Sequence, residues 1–502
     1  MPVTAPTAVP VTVPVTVPTA VPVTVPVTVP TAAPAVAGGR SLSALHKRLF
    51  RAPSQDSSEQ HAVGVGPAVS ERSAMRVLFT IFPTSAHLYP AIPLAWALQS
   101  AGHEVVVASP EGVVDPKVIE NITSAGLTAV SLGGKEELTA SLAPLMAGAG
   151  PNRPTLALDP ADENAWRQAR AVLAGMFHAY YPPEPADGGR RPVLDTLVEF
   201  ARDWRPDLVL WDPLAPTGAV AARACGAAHA RLLFGMDNIG LIRSRTRQEL
   251  ADPSSGVTED PWMSWLGPVL ERYGLDFAEE TLVGQWTLDL TQSRMRDPLD
   301  LTYVPVRRVP YNGAATLPPW LHSRPERPRA VLTLGVSRRL LAGRHSGFPM
   351  REFFDSVSGL ELELVATLNS EQLTAVGTLP DNVRAIEYVP LNQVLPTSSA
   401  IIHHGGGGTF AAAVAFTVPQ LVVPLPMWDE MVTARYVARR GAGLAADPAA
   451  LDADTVRKDL LRLIEEPSFQ LGARGLHADM LAAPAPKDVV PVLERLTAEH
   501  RG

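Results

Sequence analysis

The sequence predicts an α/β protein built from two doubly wound parallel sheets facing each other across a cleft, preceded by a low-complexity tail. Three observations carry that expectation. From Met75 onward, short apolar runs alternate with segments of helical pattern, as in parallel strands joined by helical crossovers. A second such series begins at Ala330, after a stretch rich in Pro and Arg. Finally, Ile401-Ile402-His403-His404-Gly405-Gly406-Gly407-Gly408-Thr409-Phe410 runs from an apolar strand through four glycines into an alanine-rich helix pattern, Phe410 to Phe416.

The chain has 502 residues, which favours two domains plus extras. Hydrophobic residues make up 46% and charged residues 19%, enough to fill two cores. A net charge of −8 argues against a nucleic-acid partner. No apolar run has the length needed to span a membrane. Cys225 is the only cysteine, so no internal disulfide can form and a cytoplasmic setting is expected. Its neighbours Ala224, Gly226 and Ala227 suggest a small buried residue more than a nucleophile.

Residues 1–74 open with a proline at about every fourth position from Pro2 to Pro34, separated by Val, Thr and Ala. Proline removes backbone donors and blocks helices, so this tract is expected to be extended and solvated. It lacks the basic start and unbroken apolar core of a secretory signal. Ser41 to Arg51 has the spacing of a short amphipathic helix, and Ser54 to Ser73 reads as linker. The working protein is expected to begin near Met75, the earlier stretch being a disordered tail or an overextended start.

The first domain is expected over 75–305. Arg76 to Phe82 is a strand pattern. Pro90 to Ser100 is helical, with prolines confined to its first turn, and Gly102 stops it. Val105 to Ala108, Leu208 to Trp211 and Ala230 to Phe234 follow as strands, with helices at Thr196 to Ala201 and Thr217 to Ala224. Residues 306–329 read as the inter-domain connection. The second domain, 330–485, has strand patterns at Ala330 to Leu334, Leu362 to Leu368, Val383 to Val389, Ala400 to His404 and Gln420 to Pro424. A last helix around Val489 to Glu499 lies in 486–502, after a Pro-containing turn. In such sheets ligands bind at the carboxyl ends of the strands.

The glycine run has the makings of an anion site. Glycines let the backbone turn sharply and approach a ligand closely, while free N–H groups and the helix dipole point outward. It is not a dinucleotide fingerprint, because Phe410 stands where the third glycine would be, and no Lys-Ser or Lys-Thr follows as in a Walker loop. Metal binding by His403 and His404 is disfavoured, since neighbours on a strand point to opposite faces. One should face the core and the other the loop. A tight turn without a ligand is the competing interpretation.

The segment Ile401 to Leu444 also contains Val418-Pro419-Gln420, Trp428-Asp429-Glu430 and Gly441-Ala442-Gly443. It resembles the donor-binding signature of family 1 glycosyltransferases, most closely the actinobacterial macrolide and anthracycline deoxysugar transferases. Met75-Arg76-Val77-Leu78-Phe79 with Ser85-Ala86-His87-Leu88, and Pro206-Asp207-Leu208-Val209-Leu210-Trp211-Asp212-Pro213, carry the likeness through the first half. It covers nearly everything after Met75.

The resemblance implies a GT-B fold, an inverting mechanism, and neither cofactor nor metal. It makes His403 the contact to the donor diphosphate, with His404 as the fallback if the strand is rotated. It places Gly405, Gly406, Gly407, Gly408 and Thr409 along the phosphates, Gly407 standing where relatives often have Ala or Pro. Ser337 is a further phosphate candidate, although Arg338 replaces its usual neighbouring glycine. Val389 precedes the turn beside the nucleotide base, and Asp429 and Glu430 match the pair that holds sugar hydroxyls. A cap on the following helix is the plainer role for Asp429. His87, just past the first strand, is implied to be the base, as a transferase needs a group that removes the acceptor's proton. Asp212 would orient it, with helix capping again the competitor.

The implied partners are a nucleotide-sugar donor, with thymidine diphosphate as carrier of a 6-deoxyhexose, and an apolar polyketide aglycone. A helper protein resembling a haem-less cytochrome monooxygenase is also implied. Pro261-Trp262-Met263-Ser264-Trp265-Leu266 could line a greasy acceptor surface or belong to the core. A nucleotide-sugar epimerase and a non-catalytic nucleotide-binding subunit remain the alternatives.

Overall fold

A computed structural model describes residues 74–501, apart from 113–114, 137–138, 140–165, 168, 172, 175–176, 178–190, 293, 296–297, 336–347 and 425–427. The expectations for the tail, the Ser41 to Arg51 helix and Ser337 lie outside the described residues.

The first half is a seven-stranded parallel sheet. Its strands are β1 (Arg76–Thr80), β2 (Glu104–Ser109), β3 (Thr128–Ser131), β4 (Leu208–Trp211), β5 (Ala228–Leu232), β6 (Trp286–Asp289) and β7 (Tyr303–Pro305), in the order β3-β2-β1-β4-β5-β6-β7. Alternation along the strands explains why helices cover both faces. Val77, Phe79, Val105, Val107, Leu208 and Leu210 face α1 (Ser85–Ser100). Leu78, Val106 and Val209 face the opposite way, toward α3 (Pro192–Trp204) and α4 (Thr217–Cys225), while α2 (Val118–Ser124) links β2 to β3. The helix α1 starts at Ser85, earlier than the sequence pattern suggests, so Pro90 and Pro93 lie inside it.

Three more helices follow: α5 (Asn238–Ala251), α6 (Pro261–Glu271) and α7 (Glu280–Val283). Trp262 and Trp265 lie on α6 and belong to the core, not to an acceptor surface. Both are almost fully buried, and the Trp265 ring stacks on Phe177 at 5.1 Å. The helix has an i, i+3 pair of indoles on its buried side, and burying such rings stabilises by about 2–3 kcal/mol each.

The second half is a six-stranded parallel sheet: β8 (Arg329–Thr333), β9 (Glu363–Thr367), β10 (Val383–Ile386), β11 (Ala400–His403), β12 (Gln420–Val422) and β13 (Gly443–Ala445), in the order β10-β9-β8-β11-β12-β13. Its helices are α8 (Met350–Val357), α9 (Ser370–Val376), α10 (Leu391–Val394), α11 (Gly407–Ala415), α12 (Glu430–Arg439), α13 (Ala453–Glu465) and α14 (Pro467–Ala482). The last helix, α15 (Pro486–His500), returns to the first half. Val489, Val490, Leu493 and Leu496 sit in the same cluster as α1 and β1.

Each sheet reverses its strand order once, at β1/β4 and at β8/β11. Such a switch point opens a crevice beyond the carboxyl ends of the strands, where ligands bind in this architecture. His87 and Asp212 follow β1 and β4, and the glycine run follows β11, so all of them stand at these two crevices.

Candidate active site

The first crevice holds a histidine and a carboxylate in contact. His87 Nδ1 and Asp212 Oδ2 are 2.7 Å apart. Asp212 Oδ1 accepts the Leu214 N–H at 2.8 Å, and the Asp212 backbone N–H donates to Thr80 at 2.9 Å. The carboxylate is thus pinned on its far side and almost fully buried. The competing cap role is not the one observed, because α4 starts at Thr217 and its N-cap is Pro216. With Nδ1 engaged, Nε2 is the nitrogen left for proton transfer. The imidazole is wedged between Phe234, at a 3.7 Å ring separation, and Phe82, at 5.0 Å.

The second crevice is formed by the glycine run. Strand alternation splits the two histidines as expected, but it sends His403 inward. Its ring is fully buried, its Nε2 lies 3.0 Å from Gln420 Oε1, and its Nδ1 accepts the Gly405 N–H at 3.0 Å. Both nitrogens are therefore occupied by protein. This differs from the diphosphate contact that the resemblance implied: His403 shapes the loop from below. His404 is the one at the loop, with its ring against Gly406 and Gly335, where a Cβ would run into the imidazole. Its Nε2 is 3.8 Å from Glu430 Oε1.

Burial disfavours the charged imidazolium and pushes His403 down to about 4, partly offset by the Gln420 bond. The sign of its contribution follows. A neutral buried histidine stabilises the fold fully above the unfolded pKa of about 6.5, and this is lost as pH falls toward 4. The full loss amounts to about 3 kcal/mol. Unfolding free energy measured from pH 7 to pH 4 should therefore fall less steeply in His403→Gln than in the parent protein. Equal slopes would remove this assignment.

Gly405 turns the chain at φ +101, a conformation that L side chains rarely adopt, and Gly406 is the N-cap of α11. The N-cap has no side chain to offer, so the N–H groups of Gly407, Gly408 and Thr409 donate to no side-chain cap among the described residues. Gly408 is exposed and Gly407 and Thr409 are half-buried. Val389 is packed in the core beside β8 and β11, just ahead of Pro390 and α10.

Asp429 is the N-cap of α12 yet makes no capping bond with its side chain. Its Oδ2 instead accepts the Met236 N–H of the other half at 3.2 Å. Burial raises its pKa, opposed by that N–H and by the charge of Arg308. Trp428, in front of it, adopts φ 47 and packs against the core of the first half. Glu430 opens α12 and is buried.

The sequence reading missed the segment that joins the two crevices, Phe234-Gly235-Met236. The Phe234 ring lies on His87, its carbonyl accepts from Arg308 Nη1 at 2.6 Å, and Met236 N–H reaches Asp429. A Cβ on Gly235 would fall 2.5 Å from Asp429 Oδ2. Asp237 anchors the segment. Burial works against its carboxylate, but two bonds of 2.7 Å from Arg231, with Tyr303 and the Gly240 N–H, hold its pKa below the ordinary range. Cys225 is part-buried, and burial raises its thiol pKa, which does not suit a nucleophile. Among the described residues no three His, Cys, Asp or Glu side chains gather as a metal site. No helix among them is long and apolar enough to cross a membrane.

Two parallel sheets with a histidine–carboxylate pair at one crevice and a glycine-headed helix at the other define a GT-B glycosyltransferase. The models for the N- and C-terminal domains described as "Erythromycin biosynthesis protein CIII-like" match residues 96–335 and 351–496. The chain belongs to that family of glycosyltransferases. It is 42% identical over 435 residues to aclacinomycin-T 2-deoxy-L-fucose transferase of Streptomyces galilaeus, covering 85% of this chain and 97% of the relative. It is 42% identical over 433 residues to tylactone mycaminosyltransferase of Streptomyces fradiae, covering 85% and 93%. The solved structure of glycosyltransferase VinC with dTDP superposes with a TM-score of 0.74 at 37% identity, covering 85% of this chain and all of that one. The epimerase and the non-catalytic subunit are thereby displaced.

Proposed function

We propose that the protein transfers a deoxysugar from thymidine diphosphate to a hydroxyl of a polyketide aglycone, with inversion and without a metal, in the biosynthesis of an antibiotic. The observation that carries this is the His87–Asp212 contact at 2.7 Å, placed on the same cleft as the uncapped start of α11. The donor's diphosphate lies against the N–H groups of Gly407, Gly408 and Thr409, with His404 beside it. Asp429 and Glu430 accept hydrogen bonds from the sugar hydroxyls. The aglycone lies on the first half, against Phe82 and Phe234.

His87 Nε2 removes the acceptor's proton as its oxygen attacks the anomeric carbon from the face opposite the diphosphate. The C–O bond to the diphosphate breaks in the same displacement, and its electron pair leaves with the phosphate oxygen. A helix dipole contributes only about 0.3–2 kcal/mol per charge, so several donors must converge on the leaving group. The named relatives, which transfer 2-deoxy-L-fucose and mycaminose, support a deoxysugar and a polyketide acceptor. The dTDP complex of VinC supports the nucleotide. The single cysteine suits a cytoplasmic enzyme.

The test is incubation with thymidine-diphospho-deoxysugars and a panel of macrolide and anthracycline aglycones, with mass spectrometry of the glycoside and NMR of its anomeric centre. The expected result is aglycone-dependent release of thymidine diphosphate and an inverted anomer. A retained anomer, or release that ignores the aglycone, would overturn the proposal. Running each reaction with and without a helper resembling a haem-less cytochrome monooxygenase tests the remaining partner.

A further inference from the structure

Arg307 and Arg308 follow β7, and their side chains diverge. Arg307 turns to the backbone leading into α15, donating from Nη2 to Leu481 at 2.7 Å and from Nε to Ala483 at 3.1 Å. Arg308 turns into the cleft. Its Nη1 lies 3.3 Å from the point where a Cβ would stand on Gly407, and its Nη2 lies 3.9 Å from that point on Gly408. The guanidinium of one half thus rests against the first two residues of α11 in the other.

Its bonding there is incomplete. An arginine carries five N–H donors, and among the described residues Arg308 has one acceptor, the Phe234 carbonyl at 2.6 Å. Asp429 is in electrostatic contact but forms no ion pair with it. Burial lowers the Arg308 pKa to about 10, with Asp429 opposing the shift, so the group stays charged near neutrality. The side chain is half-buried, so its spare donors remain open to an anion that would complete the shell. A cavity of about 260 Å³ opens beside it, lined by Arg308, Gly407, Phe410, Asp429 and Thr433 among others. A ligand therefore has room to reach the guanidinium.

We propose that Arg308 binds the sugar-bearing phosphate of the donor, supplied from the acceptor half to the glycine run of the donor half. This rests on the donor placement proposed above. The planar fork suits two phosphate oxygens at once. As the bond from anomeric carbon to phosphate oxygen breaks, that oxygen gains charge. A guanidinium held by the Phe234 carbonyl then stabilises the leaving group at the moment His87, beneath the Phe234 ring, takes the acceptor's proton. The plainer alternative is a tie between the halves, with no ligand contact.

Calorimetric titration of thymidine diphosphate and thymidine monophosphate into the parent protein, Arg308→Gln and Arg308→Lys separates the two. Arg308→Gln should weaken thymidine diphosphate by about 10- to 100-fold and change thymidine monophosphate by no more than about twofold. Arg308→Lys, which keeps the charge without the fork, should fall between, and it carries the test if the glutamine variant fails to fold. Unchanged diphosphate affinity in the folded variants would overturn the proposal. So would equal losses for both nucleotides, the mark of a tie. A parent protein that binds neither nucleotide would instead refute the donor placement, and the role of Arg308 with it.

Discussion

Replacing His87 by alanine should lower turnover by about 10²–10⁴ while leaving the affinity for thymidine diphosphate nearly unchanged. The imidazole sits on the acceptor half, with Nδ1 on Asp212 and its ring on Phe234. It touches none of the glycines that line the start of α11. The loss should therefore fall on kcat, measured by product formation at saturating donor, with binding measured separately by titration. The truncated side chain also leaves Asp212 buried without its partner, so thermal unfolding should be recorded alongside. A variant with full turnover would remove His87 from the role of base.

Asp212→Asn should cost a comparable factor, about 10²–10⁴, with little change in shape. Oδ1 is held by the Leu214 N–H, so an asparagine keeps its carbonyl oxygen there and turns its amide N–H₂ toward His87 Nδ1. Nδ1 must then accept, the ring proton moves to Nε2, and the lone pair that receives the acceptor's proton is gone. Because the two residues act as a unit, the double variant His87→Ala/Asp212→Asn should be no slower than the worse single one. Additive losses in kcat would show that they act independently.

Much of the fold is legible because parallel strands are buried on both faces and read as short apolar runs. Leu208 to Trp211 is such a run, and the strand occupies the same residues. β7 is three residues long and β13 contains a glycine, so neither leaves a signal in the sequence. The helix α11 begins at Gly407, three residues before the alanine-rich pattern, since glycines suppress helix propensity while the strand–turn geometry still starts the turn there. Alternation showed that His403 and His404 must part company. Which of them enters the sheet depends on rotation of β11 against Gln420, information held in another strand. Likewise, Asp429 gave no sign that it would leave its own helix uncapped to reach Met236. Arg308 is hidden among prolines and arginines that read as a connection, and only the packing of the two halves brings it to Gly407.

The return of α15 to the first half has a mechanical consequence. The polypeptide passes between the halves twice, within 306–329 and at Ala483 to Pro484, and the start of the first passage is tied to the second where Arg307 N–H donates to the Pro484 carbonyl at 2.7 Å. A double tether leaves the two halves fewer ways to shift against each other than a single connection would.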